Sequence, residues 1–263
     1  VEANRYFWQD GTRVTGWSDP LRFANELQER LFIDQETTLR YLNRASLLLD
    51  HTGRTFLEHS LHRWKTLREG GIRKALTTAR WNELTGTLND INRSAFKNEK
   101  AVQLFNRFAT YNGSSPYKTP GLMRMISGLE HGQGAFYPEG GMHSITRALH
   151  QLAVMVGVRF HFNSPVERIL LNPGLDRVTG IRVDGQELNA PVVVSAIDIV
   201  PTYRQLLPDL PAPKRTLAQE RSSSALVFYW GVKTVHPELG LHNILFSNDY
   251  TAEFEHLFEK GQV

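Results

Sequence analysis

The sequence predicts a mixed α/β fold, helical at first and sheet-forming later, and three observations carry that prediction. Apolar residues recur at helical spacing through roughly the first 110 residues. From Val158 the period changes to two, with VRFHF, VERILL, VTGIRV and VVVS reading as short strands. Apolar residues make up 41% of the 263, enough to bury a core and to argue against disorder.

The opening NRYFWQDGTRV reads as two strand ends around an Asp10-Gly11 turn. Ser18 and Asp19 ahead of Pro20 mark a helix start, and Leu21, Phe23, Leu27 and Leu31 give that helix an apolar side. Asp34 caps a second helix with Leu39, Leu42 and Leu49 inward. Leu57, Leu61, Trp64 and Leu67 lie at helical spacing, and Ile72, Leu76 and Ala79 continue the pattern past Gly70-Gly71. Asn98 caps a helix running through Leu104, Phe105 and Phe108. The next runs from Leu122 through Met125 and Ile126 to Leu129, between Pro120 and the glycines at 132 and 134. After Gly140-Gly141, an amphipathic helix places Met142, Ile145, Leu149, Leu152 and Val156 on one face. The strands that follow are joined by turns at 163–165, 172–174 and Asp184-Gly185. A Pro-rich link, LLPDLPAP, precedes a further strand over 225–232, and a last helix covers 251–258.

Composition narrows the function classes. Lys and Arg number 30 against 27 Asp and Glu, a formal charge of +3 with the signs interspersed, so nucleic acid is a poor partner. With no cysteine, a disulfide framework, a thiolate metal site and a cysteine nucleophile are all excluded. The 10 histidines include no His-Glu-x-x-His, and no metal site is assigned. No run approaches the roughly 20 apolar residues that span a bilayer. Gly132-Gln133-Gly134 begins like a dinucleotide fingerprint but follows a helix and lacks the final glycine, so it reads as a turn. Neither a Gly-x-Ser-x-Gly elbow nor a phosphate loop is present. The first residue is Val1, and the chain opens directly on a hairpin, so an interior fragment of a longer protein is expected.

The lack of polar catalytic machinery suits a hydrocarbon substrate. No side chain accepts a hydride, so oxidation of a carbon pair belongs to a cofactor, and the protein supplies shape and dryness. Tyr111, Phe136, Tyr137, Pro138 and Met142, with the Gly140-Gly141 turn, would line such a site. On composition alone these residues read more readily as ordinary core and turn elements.

A series of segments in order tips that balance: the Asp10-Gly11 opening, RFATYNGSSPYKTPG, YPEGGMHSITRAL, the strand pair ending in VERIL, VVVSAIDIVPTYRQLLP, and SSSALVFYWGV followed by HNILFSNDY. Together they resemble the bacterial carotenoid desaturases, the phytoene desaturase family of FAD-dependent flavoenzymes, nearly end to end. ATYNGSSPYKTPG leans towards the branch acting on the 3,4 bond of hydroxylated carotenoids.

The resemblance implies the FAD/NAD(P)-binding superfamily, glutathione-reductase-like and amine-oxidase-like, with a mixed-sheet substrate domain, a helical subdomain and part of a flavin domain. Residues 1–157 would be the substrate-binding and helical region, 158–213 part of the FAD-binding domain, and 214–263 a return to the substrate-domain sheet. It implies desaturation of a polyene by hydride transfer to flavin. Gly140 and Gly141 would lie near the flavin, Val166 would meet the adenine through its backbone, and Ser195, Ala196 and Asp198 match a flavin-domain segment. Here Ala196-Ile197 replaces the family's Asn-Ala, which weakens a side-chain role there but not a backbone one. Catalytic residues stay unassigned. Family members carry their Gly-rich pyrophosphate motif ahead of the point matching Val1, so this chain alone is not expected to hold FAD.

The absence of cysteine fits a reducing cytoplasm, and a lipid-borne substrate implies a protein peripheral on the membrane. The cationic, aromatic stretch with Trp64, Leu67, Ile72 and Trp81 reads either as a membrane-surface element or as a solvated helical face. Two other readings remain open: another flavin oxidoreductase of the superfamily, such as a carotenoid isomerase, a saturase or an amine-oxidase-like enzyme, and a non-catalytic module for apolar ligands or membrane surfaces.

Overall fold

A computed structural model describes residues 1–53, 77–219, 221 and 225–261. They form two compact units, Val1–Phe136 with Ser222–Val263, and Tyr137–Arg221. The helix that follows Gly140-Gly141 therefore groups with the strands after it.

In the first unit, β1 (Glu2–Phe7) and β2 (Arg13–Trp17) pair antiparallel around the Asp10-Gly11 turn. A third strand, Asn243–Leu245, pairs in parallel with the other side of β1. The period-two pattern of β1 turns Asn4 and Tyr6 inward, and Trp8 continues it. Asp19 caps α1 (Pro20–Leu31) by accepting from Arg22 N at 2.7 Å, and Asp34 caps α2 (Gln35–Leu48) by accepting from Thr37 N at 3.0 Å. Phe23, Leu27 and Leu31 of α1 and Tyr41, Leu42 and Ala45 of α2 are buried, while Leu39 is only half-buried.

Two short helices that the apolar spacing did not predict follow: α3 (Trp81–Thr85) and α4 (Leu88–Ala95), the latter capped reciprocally by Thr87 and Asp90. Asn98 caps α5 (Glu99–Asn106). Its Phe105 stacks on Phe96 with centroids 4.7 Å apart and tilts against Tyr41 at 4.5 Å, at the centre of the aromatic core. The helix expected over 122–129 is composite, made of a 3₁₀ turn Gly121–Arg124, α6 (Met125–Gly128) and a π-turn Leu129–Gln133. The expected last helix is Tyr250–Glu255, extended by a π-turn through Lys260. The pattern from Phe56 to Leu76 lies outside the described residues; Trp81 is described and 79% exposed.

In the second unit, α7 (His143–Met155) precedes an antiparallel sheet of β3 (Val166–Leu171), β4 (Val178–Val183) and β5 (Gln186–Asn189). Strand β5 was not legible in advance, because QELN has no apolar alternation; the Asp184-Gly185 turn places it beside β4.

Three expected strands are not strands. Residues 158–162, 192–195 and 225–232 have no ladder partner among the described residues and, apart from half-buried Val193, are exposed. Period-two spacing specifies which side chains share a face, but a strand exists only when its backbone finds a partner. Among the described residues, no helix is long and apolar enough to cross a membrane.

Candidate functional site

Tyr111 belongs to a 3₁₀ segment, Arg107–Asn112, that continues from α5 and ends where Gly113 takes a left-handed conformation. Beside it opens a cavity of about 400 Å³ within the first unit. Leu49, Met123, Met125, Ile126 and Leu129 supply an apolar wall with Gly134 and Ala135, and Tyr111, Asn112 and Glu130 supply the polar end.

That polar end rests on a buried network. Arg107 Nη1 donates to the Tyr111 hydroxyl at 2.9 Å, and Nη2 donates to Tyr6 Oη at 2.9 Å and Glu130 Oε2 at 3.4 Å. Tyr111 in turn donates to Glu130 Oε2 at 3.2 Å, and Asn4 Nδ2 donates to Glu130 Oε1 at 2.8 Å. His131 donates from Nδ1 to the Trp17 carbonyl at 2.9 Å and stacks on Phe23 at 4.4 Å. Its Nε2 is 3.6 Å from Glu130 Oε1, beyond hydrogen-bond reach.

The charges of this cluster are settled by their surroundings. Burial raises the Tyr6 and Tyr111 hydroxyls above their ordinary range against the pull of Arg107, so both stay neutral. Burial also depresses the His131 imidazole, with Glu130 opposing, so it is neutral at pH 7. Burial disfavours a charged Arg107, but Tyr6, Glu130 and Tyr111 around it raise its pKa. Arg107 and Glu130 therefore form a balanced ion pair, and the end of the cavity is polar with no net charge.

The other residues expected at the site fall in two places. Phe136 ends the first of the two stretches that make up the first unit and is exposed. Tyr137, Pro138, Gly140, Gly141 and Met142 form a turn opening the second unit, in which Gly141 N donates to the Pro138 carbonyl at 3.0 Å. Gly140 and Gly141 sit at φ +80° and +83°, which only glycine adopts in succession without strain, so the backbone there is bare of side chains. Val166 begins β3, which pairs with β4 on one side and with no described strand on the other.

Ser195 and Asp198 are committed locally. Ser195 Oγ shares a 2.8 Å hydrogen bond with Thr202 Oγ1, while Asp198 accepts from Val200 N at 2.8 Å and pairs with Arg221. Val166 thus begins a strand edge with no described partner, and Gly140-Gly141 is a turn bare of side chains. Ala196 has no polar side chain to offer.

Residue spacing missed Arg107, Glu130 and Asn4, which lie as far apart as positions 4 and 130. The only local signals were an Arg opening RFATYN and a Glu just before the Gly-rich break at 132–134.

The flavin containing amine oxidoreductase family matches residues 2–254. The chain belongs to that family. Within this flavoenzyme family it is similar, at 46% identity over 99% of its length and 53% of the relative's, to a 1-hydroxycarotenoid 3,4-desaturase of Flavobacterium sp. (strain P99-3). It is 37% identical, over 63% of its length and 32% of the relative's, to a zeta-carotene-forming phytoene desaturase of Myxococcus xanthus. A 4,4'-diapolycopene oxygenase of Methylomonas sp. is 26% identical over 98% of the chain and 52% of the relative. The chain spans about half the length of the relatives that it matches from end to end. The resemblance to carotenoid desaturases and the expectation of an α/β fold of a flavin-containing oxidoreductase family are thus borne out.

Proposed function

We propose that this flavin-containing oxidoreductase is an FAD-dependent carotenoid desaturase, and that its substrate is a hydroxylated carotenoid desaturated at the 3,4 bond. The observation that carries the reading is the 46% identity, along 99% of the chain, to an enzyme named for that reaction. Bound flavin supplies the two-electron acceptor that no side chain of this protein can be. Backbone at Gly140, Gly141, Val166, Ser195 and Ala196 would hold it, with Asp198 fixing the local turn as a helix cap.

The chain's own task is to seat a polyene and exclude water, which the apolar wall of Met123, Met125, Ile126 and Leu129 suits. A cavity of about 400 Å³ suits one end of such a molecule, not its whole length. A carotenoid dissolves in the bilayer, so the same reading makes the protein peripheral on the membrane, with exposed Trp81 as one contact, and its lack of cysteine fits the cytoplasmic side.

The test uses the full-length protein in cells that accumulate colourless phytoene or hydroxylated carotenes. A shift of the extracted pigment to longer wavelength is expected in the cells that accumulate hydroxylated carotenes, and none in those that accumulate phytoene. With the hydroxylated carotenes, an unchanged spectrum from a folded, flavin-loaded protein would overturn the reading, and a product carrying new oxygen would favour the chemistry named for the Methylomonas relative.

A further inference from the structure

We infer that Tyr111 and Glu130 form a recognition site for a neutral hydroxyl on the end of an otherwise apolar substrate, with Arg107 as the positioning residue behind them. The inference rests on the carotenoid reading of the function and adds the residues that choose among carotenoids.

Four observations lead there. Both residues line the same cavity, whose lining is otherwise apolar except for Asn112, the neighbour of Tyr111 in sequence, so a polar group of a bound ligand is best met beside them. Next, the Tyr111 to Glu130 contact is 3.2 Å, long for a hydroxyl on a carboxylate, which settles at about 2.5–2.7 Å. A substrate hydroxyl entering between them replaces one weak bond with two good ones, accepting from Tyr111 and donating to Glu130. Capacity remains as well: Glu130 accepts from Asn4, Tyr111 and Arg107, and a carboxylate has about four lone-pair sites.

Charge balance then selects the ligand class. Arg107 neutralises Glu130, and His131 beside them is neutral at pH 7. A substrate amine would need an unpaired carboxylate and a substrate acid an unpaired cation, and this pocket offers neither. A hydroxyl fits without changing the charge. Arg107 is buried and donates to Tyr111, Tyr6 and Glu130 at once, so it fixes the angle between the two recognition groups without facing the ligand.

The experiment compares two carotenoids of equal length, one with a terminal hydroxyl and one without, on full-length flavin-loaded protein. The readout is the ratio of their kcat/KM values in the wild type and in Tyr111→Phe, which keeps the ring packed against Phe108. Because the substrate hydroxyl then loses one of its two partners, the ratio in favour of the hydroxylated carotenoid should fall about ten-fold. Glu130→Gln should lower it in the same direction; if that variant fails to fold around the buried Arg107, Tyr111→Phe decides alone.

An unchanged ratio, or equal losses on both carotenoids, would overturn the inference and leave the desaturase reading standing. The converse is also separable. Should the wild type desaturate neither carotenoid, absorbance titration measures binding directly. Tighter binding of the hydroxylated one that Tyr111→Phe abolishes would sustain the hydroxyl site while the desaturase reading fell, and equal binding of the two would sink the site as well.

Discussion

His131 is held as a neutral imidazole between the Phe23 ring and the Trp17 carbonyl, and its neutrality makes stability depend on pH. Its folded pKa lies below the ordinary value of about 6.5, so above that pH neither the folded nor the unfolded state binds the extra proton. As pH falls through 6.5 the unfolded chain takes up a proton that the folded protein refuses, and stability declines by at most about 1.4 kcal/mol per pH unit. His242, also depressed by burial, adds a slope of the same sign. Urea unfolding of the full-length protein between pH 5 and 8 should show this fall. His131→Phe keeps the stacking, loses the Trp17 hydrogen bond at every pH, and should flatten the slope; an unflattened slope would acquit His131. None of this was legible in the sequence, where His131 is one of 10 histidines. Tyr111 was legible as a candidate because its motif is local, whereas Glu130 becomes a site residue only when the fold brings positions 4, 6, 107 and 130 together.

Helix starts were readable because their causes are local. Asp19, Asp34 and Asn98 each accept a backbone N–H two or three residues on, and a short polar side chain ahead of an apolar stripe announces that geometry. Contacts between elements were not readable, and Gly128 is the clearest instance. It ends α6 where that helix crosses α2, and a Cβ there would lie 3.0 Å from the backbone of Ala45 and Ser46. The sequence presents Gly128 only as a weak helix residue. Since the crowding is against backbone, it cannot be relieved by turning a side chain, and Gly128→Ala should destabilise by about 1–3 kcal/mol despite its better helix propensity. Thermal unfolding checks this, and a rise in midpoint would mean that propensity outweighs the close approach. The same cause accounts for the strands expected at 158–162, 192–195 and 225–232: alternation is a property of the segment, but a ladder belongs to two segments.

At the level of the whole chain, burial is divided unevenly between the two units. The first holds the aromatic core from Tyr6 to Phe246, while Ile169 is the one hydrophobic side chain buried in the second among the described residues. Helix α7 has no buried residue, and its apolar stripe of Ile145, Leu149, Leu152 and Val156 faces outward at the predicted spacing. Phe160 and Phe162, stacked 5.9 Å apart beside His150, add aromatic area to the same unit. A contiguous apolar surface of this kind binds hydrophobic dyes and promotes self-association. The 263-residue chain expressed by itself should therefore enhance the fluorescence of anilinonaphthalene sulfonate strongly. Replacing Leu149 and Leu152 together with Lys should cut that signal by half or more while leaving far-UV circular dichroism in place, because neither side chain supports a core. If the double variant instead lost its helical signal, α7 would be held by its apolar stripe after all, and the exposure of that face would not describe the chain in solution.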